Sequence, residues 1–241
     1  AGDIVNRGPQ PAACVERILE RIQRDGWLCI RGNHEDFVLQ ERTPAEGREA
    51  YLDEVFQHST WTCGQIRSYW SELTALPDQL DLAGPDGQTV RCVHASFLSN
   101  RDGLYPKMDD VTIDHHGGPG ADLLVVGHTH VPFIRELDHR LIVNVGAVGL
   151  PFDRDPRAAF AVLEWDGERW DATIVRLDYD RSATDRAYHA SGFLRDGGPM
   201  VELILDELQR ARPHLRPWHV HYEDMVARGE RTIAETVQDR I

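Results

Sequence analysis

Apolar positions recur with helical spacing near the start of this chain, with a period of two through its middle, and with helical spacing again beyond Asp178. Cys14, Ile18 and Ile22 share one face, with Val15 and Leu19 alongside, so Pro9 to Arg24 is predicted helical. Pro11 suits the first turn, and Asp25-Gly26 ends the helix. Trp27 to Ile30 reads as a short strand delivering Gly32-Asn33-His34. A helix is expected to start over Asp36 to Gln40, followed by a polar interruption at Thr43-Pro44 and Glu46-Gly47. Helical spacing resumes at Tyr51, Val55 and Phe56, and again at Ile66, Trp70, Leu73 and Leu76. The stretch from about 36 to 76 is therefore expected to be a helical cap.

From Pro77 the texture is β. Leu80 to Leu82 and Val90 to His94 flank Gly84-Pro85-Asp86-Gly87, a hairpin signal. Ser99 to Ala121 is polar, rich in Asp, Gly and His, and is expected to be a loop. Leu123 to Val126 is a short apolar run. Phe133 to Leu137, Leu141 to Val148, Ala158 to Trp165 and Trp170 to Leu177 are expected to form a second, largely antiparallel sheet. Met200, Leu203, Ile204 and Leu208 then make one helical stripe, with further helices at Tyr222 to Arg228 and from Ile233. The division expected is one domain over 1–180 and a C-terminal helical extension over 181–241 packing on it. That extension carries no catalytic signal and suits either packing or pairing with a second copy, which leaves a homo-oligomer open.

A length of 241 residues fits a single α/β domain with a substantial core. No apolar run approaches the roughly 20 residues of a spanning helix. Cys14, Cys29, Cys63 and Cys92 form no C-x-x-C pair. Three sit in apolar company, so reduced, buried thiols and a cytoplasmic location are expected. The net charge of −14, from 40 acidic against 26 basic residues, disfavours duplex nucleic acid as a substrate. A small phosphate ester is compatible with that charge, because bound cations dominate the local field of such a site.

Four segments carry chemistry: Gly2-Asp3 running into Arg7-Gly8, Gly32-Asn33-His34-Glu35, Val93-His94, and Gly127-His128-Thr129-His130. Each adjoins a short apolar run, and strands of one sheet would bring them to a common rim, where α/β folds place their sites. Alone, Asp3 also reads as a turn acid, Asn33 as a left-handed turn residue and His94 as a core histidine. His128 and His130 alternate along an extended segment and so face one cavity. Carboxylate, amide oxygen and imidazole together suit Mn, Fe, Co, Ni or Zn. His115-His116 and His219/His221 lack these contexts and are left out. Arg31 is within reach of the rim as a salt-bridging or substrate-side residue, and Asn144 and Gly146 suit structural or pocket-lining roles.

In this order the segments resemble the calcineurin-like metallophosphoesterase superfamily, whose series runs D-x-H, G-D, G-N-H-[ED], H and G-H-x-H. The resemblance covers about residues 1 to 165 and implies a four-layer α-β-β-α sandwich of two mixed sheets. It implies two divalent transition metal ions. Asp3 would bridge them, Asn33, His94 and His128 would hold the second, and His130 the first. It further implies a metal-bridging hydroxide as nucleophile, His34 as proton donor to the leaving oxygen, and Arg7 as a phosphate contact. Glu35 or Asp36 would orient His34. Asn6 stands where the protein serine/threonine phosphatases carry an Asp that pairs with the catalytic His, so membership of that branch does not follow.

The D-x-H motif is absent, and the expectation is that some tens of residues precede Ala1. As written, the first metal keeps only Asp3 and His130. The segments Gly2 to Pro9 and Arg31 to Glu35 also look like diadenosine tetraphosphatases and bacterial phosphoprotein phosphatases. Gly127 to His130 and the strands after it look more like small bacterial phosphodiesterases. Hydrolysis of a small phosphate mono- or diester therefore ranks first, nucleotide anhydride hydrolysis second and protein phosphatase third. A binding scaffold that keeps the fold without turnover is the reading from another class.

Overall fold

Alternation and helical spacing resolve into a mixed α/β architecture in the computed structural model, which describes residues 1–241. The helices are α1 (Pro11–Asp25), α2 (Asn33–Gln40), α3 (Ala50–Val55), α4 (Gln57–Gln65), α5 (Trp70–Thr74), α6 (Asp110–Gly117), α7 (Arg181–Ala190), α8 (Phe193–Asp196), α9 (Met200–Arg210), α10 (Leu215–His221), α11 (Glu223–Ala227) and α12 (Ile233–Arg240). The strands are β1 (Gln79–Ala83), β2 (Thr89–Val93), β3 (Leu123–Val126), β4 (Phe133–Leu137), β5 (Arg140–Asn144), β6 (Ala158–Trp165) and β7 (Trp170–Leu177). Helix α1 stops where Gly26 turns left-handed at φ 71° and the Trp27 N–H closes onto the Arg21 carbonyl.

One sheet has five strands in the order β1-β2-β3-β5-β4, parallel across β2, β3 and β5 and antiparallel at both edges. Its centre is covered on both faces, as a parallel sheet requires, and all four residues of β3 are buried. Leu124, Val126 and Ile142 point to a core shared with Leu104 and Ile113 of the segment carrying α6. Leu123, Val125 and Val143 point the other way, onto Ala161, Leu163, Ala172 and Ile174 of the second sheet. That second sheet is smaller than expected, an antiparallel pair of β6 and β7. The difference comes from β4 and β5, which turn back as a hairpin and seat β5 beside β3.

The parallel ladder sets the site. Because β2 and β3 run side by side, His94 and Gly127 emerge together, and the Gly127 N–H donates to the His94 carbonyl at 2.8 Å. Asn144 ends β5 on the same edge and donates to the Gly127 carbonyl at 2.7 Å.

Three other expectations are corrected. Trp27 to Ile30 is no strand: these residues pair with no neighbour, and Trp27 and Leu28 are 51% and 62% exposed. Ser99 to Ala121 is not all loop, because the Asp109 carboxylate accepts the Thr112 N–H at 2.9 Å and caps α6. Of the four free thiols only Cys63 is buried, while Cys14 is exposed on the flank of α1 beside the inward-facing Val15.

Helices α2, α4 and α5 pack with α1 around Val5, Val15, Val38, Cys63, Ile66 and Leu73. The C-terminal helices supply all but two of a cluster of 14 buried residues, the two being Val55 from α3 and Leu150. No helix is long and apolar enough to cross a membrane.

Candidate metal centre

The backbone around Asp3 is held in an unusual form. Seven non-glycine residues have φ in the left-handed region, and five of them are Asp3, Asn6, Arg7, His128 and His130. That region is sparsely populated by residues with a Cβ, so these positions store strain and need outside support. For residues 3 to 5 the support is Glu35. Its buried carboxylate accepts the N–H groups of Asp3, Ile4 and Val5 at 2.8, 2.6 and 3.0 Å, and that of Gly32 at 2.7 Å. With their donors taken, Ile4 and Val5 are not available for a sheet ladder. Burial, then the Asp3 charge, pushes the Glu35 carboxyl up to about 7 against the pull of those amides. Helix α2 begins at Asn33 and not near Asp36, with the Glu35 carboxylate reaching back to accept the N–H of Gly32 at its N-cap. A side chain at Gly32 would run into the Asp3 carboxylate.

Asp3 Oδ1 accepts the His34 N–H at 3.0 Å, while Oδ2 is buried with no hydrogen-bond donor. Around that orphaned oxygen stand His94 Nε2 at 3.3 Å and His130 Nε2 at 3.8 Å. Asn33 Oδ1 lies 2.9 Å from His94 Nε2 and 2.8 Å from His128 Nδ1, and those two ring nitrogens are 3.2 Å apart. The far nitrogens are committed: His94 Nδ1 donates to the Ala1 carbonyl at 2.7 Å and His130 Nδ1 to that of Leu150 at 2.6 Å. Each neutral ring therefore turns a lone pair inward.

Five such atoms, Asp3 Oδ2, Asn33 Oδ1, His94 Nε2, His128 Nδ1 and His130 Nε2, thus converge, and a divalent cation fits that set of oxygen and nitrogen donors. Ligand atoms of Asp3, His94 and His128 all lie within 4.8 Å of one another. The titration pattern of the bare site agrees. Burial pulls His94 down, but the Asp3 carboxylate and the Ala1 carbonyl outweigh it and raise the ring. Burial, then the neighbouring His94, drives His128 down to about 4. Burial opposes ionisation of Asp3, yet the imidazoles around it, His34 first, hold its carboxyl well below the usual range.

The other expected residues fall into two groups. His34 is buried, and Asn6 Nδ2 donates to its Nδ1 at 3.0 Å and to Ser59 Oγ at the same distance. Burial keeps His34 well below an ordinary imidazole, and the Arg7 charge adds to that. The orienting partner of His34 is therefore Asn6, whereas Glu35 is spent on backbone amides and Asp36 on Arg31, 3.0 Å away. Arg7 sits 3.8 Å from the buried Glu207 of α9, and its backbone carbonyl accepts the Tyr188 hydroxyl. His115 and His116 lie on the last turn of α6, with His116 against Asp102 at 3.2 Å.

Two supporting residues carry no motif, and a third, Asn144, takes the structural role expected of it. Ser59 and Glu207 have no local sequence signal. Asn144 binds both the Gly127 carbonyl and Thr129 Oγ1, at 2.7 and 2.9 Å, and holds the histidine loop. The G-x-x-E spacing of Gly32 and Glu35 was a readable capping signal for the helix start.

Comparison with known proteins gives the same direction. Residues 1–168 match the profile of the calcineurin-like phosphoesterase superfamily domain. Over 74 residues, 30% of this chain, the sequence is 43% identical to a probable metallophosphoesterase of Methanothermobacter thermautotrophicus, a match spanning 42% of that protein's length. An uncharacterised protein of Methanocaldococcus jannaschii is 28% identical over 203 residues, 74% of each chain. Among solved structures, a metallophosphoesterase from Sphaerobacter thermophilus superposes with a TM-score of 0.65 at 27% identity, covering 87% of this chain and 86% of that one.

Proposed function

This chain belongs to the calcineurin-like phosphoesterase superfamily, and from that premise we propose that it is a metal-dependent hydrolase of a phosphate mono- or diester. The observation that carries the proposal is the buried, unpartnered Asp3 Oδ2 facing Asn33, His94, His128 and His130. Asn33, His94 and His128 with Asp3 would hold one divalent ion, and Asp3 with His130 would contribute to a second. Such ions, when bound, draw charge from phosphoryl oxygens and make water acidic enough to supply hydroxide near neutral pH.

The protein side of the reaction follows from its hydrogen bonds. Asn6 donates to His34 Nδ1, so the neutral ring carries its proton on Nε2. As the water oxygen bonds to phosphorus and the ester oxygen departs, that proton passes to the departing oxygen. An amide in place of a carboxylate gives His34 no ionic partner at Nδ1, which suits a neutral acid in a buried site. The Arg7 guanidinium, 3.8 Å from Glu207, would stabilise charge on the phosphoryl oxygens.

The test uses the protein with added Mn, p-nitrophenyl phosphate and bis-p-nitrophenyl phosphate. His128→Ala should lower bound metal and abolish turnover. His34→Asn should keep the metal and lower kcat by about 10²- to 10⁴-fold. Absence of turnover with either ester together with unchanged metal content in His128→Ala would leave the scaffold reading.

A further inference from the structure

Two cavities flank the histidines, and their charge differs. The first, about 280 Å³, meets His94 and holds Arg31. That guanidinium is already neutralised, by Asp36 at 3.0 Å and Asp78 at 2.8 Å. The second, about 330 Å³, meets His128 and is lined by Arg101, Tyr105 and Arg216. Here the arginines are held by rings and not by acids: Arg101 lies over Phe37 at 4.6 Å, and Arg216 lies over Tyr105 and donates to its hydroxyl at 2.9 Å. The one carboxylate in this wall, Asp102, is engaged by His116. In a chain with 40 acidic residues against 26 basic ones, two guanidinium groups stand here, neither of them ion-paired to Asp102 or to any other carboxylate. Aromatic contacts fix a guanidinium while leaving its N–H fork free. Gly103 lets this wall close on the site, since a Cβ there would come within 2.7 Å of His128 Cδ2.

We propose that this second cavity binds a further phosphate of the substrate, between Arg101 and Arg216, so that the ester hydrolysed at Asp3 carries two phosphates. A guanidinium fork matches two phosphate oxygens at once, and a pair of forks favours a dianion over a neutral group. His128 belongs to both the metal centre and this cavity, which keeps the two phosphates within one small molecule. Arg101 lies within residues 1–168 and Arg216 on α10 outside them, so this selectivity needs the C-terminal helices as well as the part matched to the family. The inference rests on the hydrolase reading only for which phosphate is cleaved.

Calorimetry with Mn present would compare propylphosphonate with alkanediyl bisphosphonates of two to six carbons, whose C–P bonds resist hydrolysis. The intact protein should prefer one bisphosphonate by about a hundredfold, with about tenfold carried by each arginine, the worth of one charge-assisted hydrogen bond. Arg101→Gln and Arg216→Gln should each lower that ratio, and the double variant should bring it near unity. Arg67→Ala, which removes a charge outside the cavity, should leave it unchanged. No preference at any length, or a preference that survives in the double variant, overturns the proposal. Turnover of p-nitrophenyl phosphate is read separately. A dead catalyst with the ratio intact overturns the hydrolase and keeps the pocket, and an active one without the ratio does the reverse.

Discussion

Around Asp3 the chain buries charge and strains its backbone, whereas the C-terminal helices bury mainly hydrocarbon, with Ala211 their one non-glycine residue at positive φ. The first region holds Glu35, His34, Asn33 and His94 out of solvent and five non-glycine residues at positive φ. Each such backbone position costs on the order of 1–3 kcal/mol. The second packs Tyr188, Phe193, Leu203, Ile204 and Trp218 fully or almost fully buried, each contributing about 1.5–3 kcal/mol. Stability and chemistry are thus drawn from different parts of one chain. The helices can support the rim because their cluster extends to Val55 and Leu150, the latter accepting from His130.

The largest expected effect separates the two regions by matching their losses. Glu35→Ala leaves four backbone N–H groups without their acceptor and should cost about 4 kcal/mol or more, with bound metal lost. Trp218→Ala removes a buried ring and its bond to Thr236, at about 3–5 kcal/mol, but should keep the metal at temperatures where the chain stays folded. Urea unfolding and metal content, measured on both, would break the comparison if Trp218→Ala lost its metal while folded.

Next comes the joint between the regions. Glu207 accepts the His214 and Leu215 N–H groups through Oε1 and faces Arg7 through Oε2. Glu207→Ala should cost about 3 kcal/mol, since it leaves the part-buried Arg7 and two amides unpaired. It should also raise KM for p-nitrophenyl phosphate. A change in stability with no change in KM would mean that the helices serve only as packing.

This joint also shows where the sequence stops being readable. Period and capping located α1, β1 to β3, β6, β7 and the stripe of α9, because local spacing decides which face is buried. The segments carrying Asp3, Asn33, His94, His128 and His130 were legible for the opposite reason, since their residue types suit little other than a cation once brought together. What spacing could not show was pairing. Trp27 to Ile30 has strand texture without a ladder, and Leu141 to Asn144 joined β3 and not a second sheet. Partners far apart in the chain were equally hidden. Nothing near Glu207 announces Arg7, two hundred residues earlier, and nothing near Arg216 announces Tyr105.

Acid should then weaken the rim more than the helices. His58 is buried with its Nδ1 on the Val55 carbonyl, and burial, aided by the Arg7 charge, lowers its pKa to about 3. The unfolded chain, with His58 near 6.5, takes up the proton first. The stabilisation from a neutral His58 is therefore complete above pH 6.5 and is lost as pH falls toward 3. Between pH 7 and pH 5 the intact protein should lose about 2 kcal/mol more than His58→Gln, read from urea midpoints at each pH. Equal losses in the two proteins would place the acid sensitivity elsewhere.

The smallest effect tests whether the helical segment before β1 reaches the chemistry. Ser59 on α4 accepts from Asn6 Nδ2 at 3.0 Å and donates back to Asn6 Oδ1 at 3.3 Å, which fixes the amide that donates to His34 Nδ1. Ser59→Ala deletes a hydroxyl without changing the fold, and Asn6 then turns more freely. The cost should be about 1 kcal/mol, a fall of roughly fivefold in kcat, with KM and bound metal unchanged. Ser59→Thr, which restores a hydroxyl, should recover most of the loss. If Ser59→Ala instead altered metal content and left kcat alone, the segment would act through Asp3 and the strained backbone, and the Asn6–His34 contact would not set the proton.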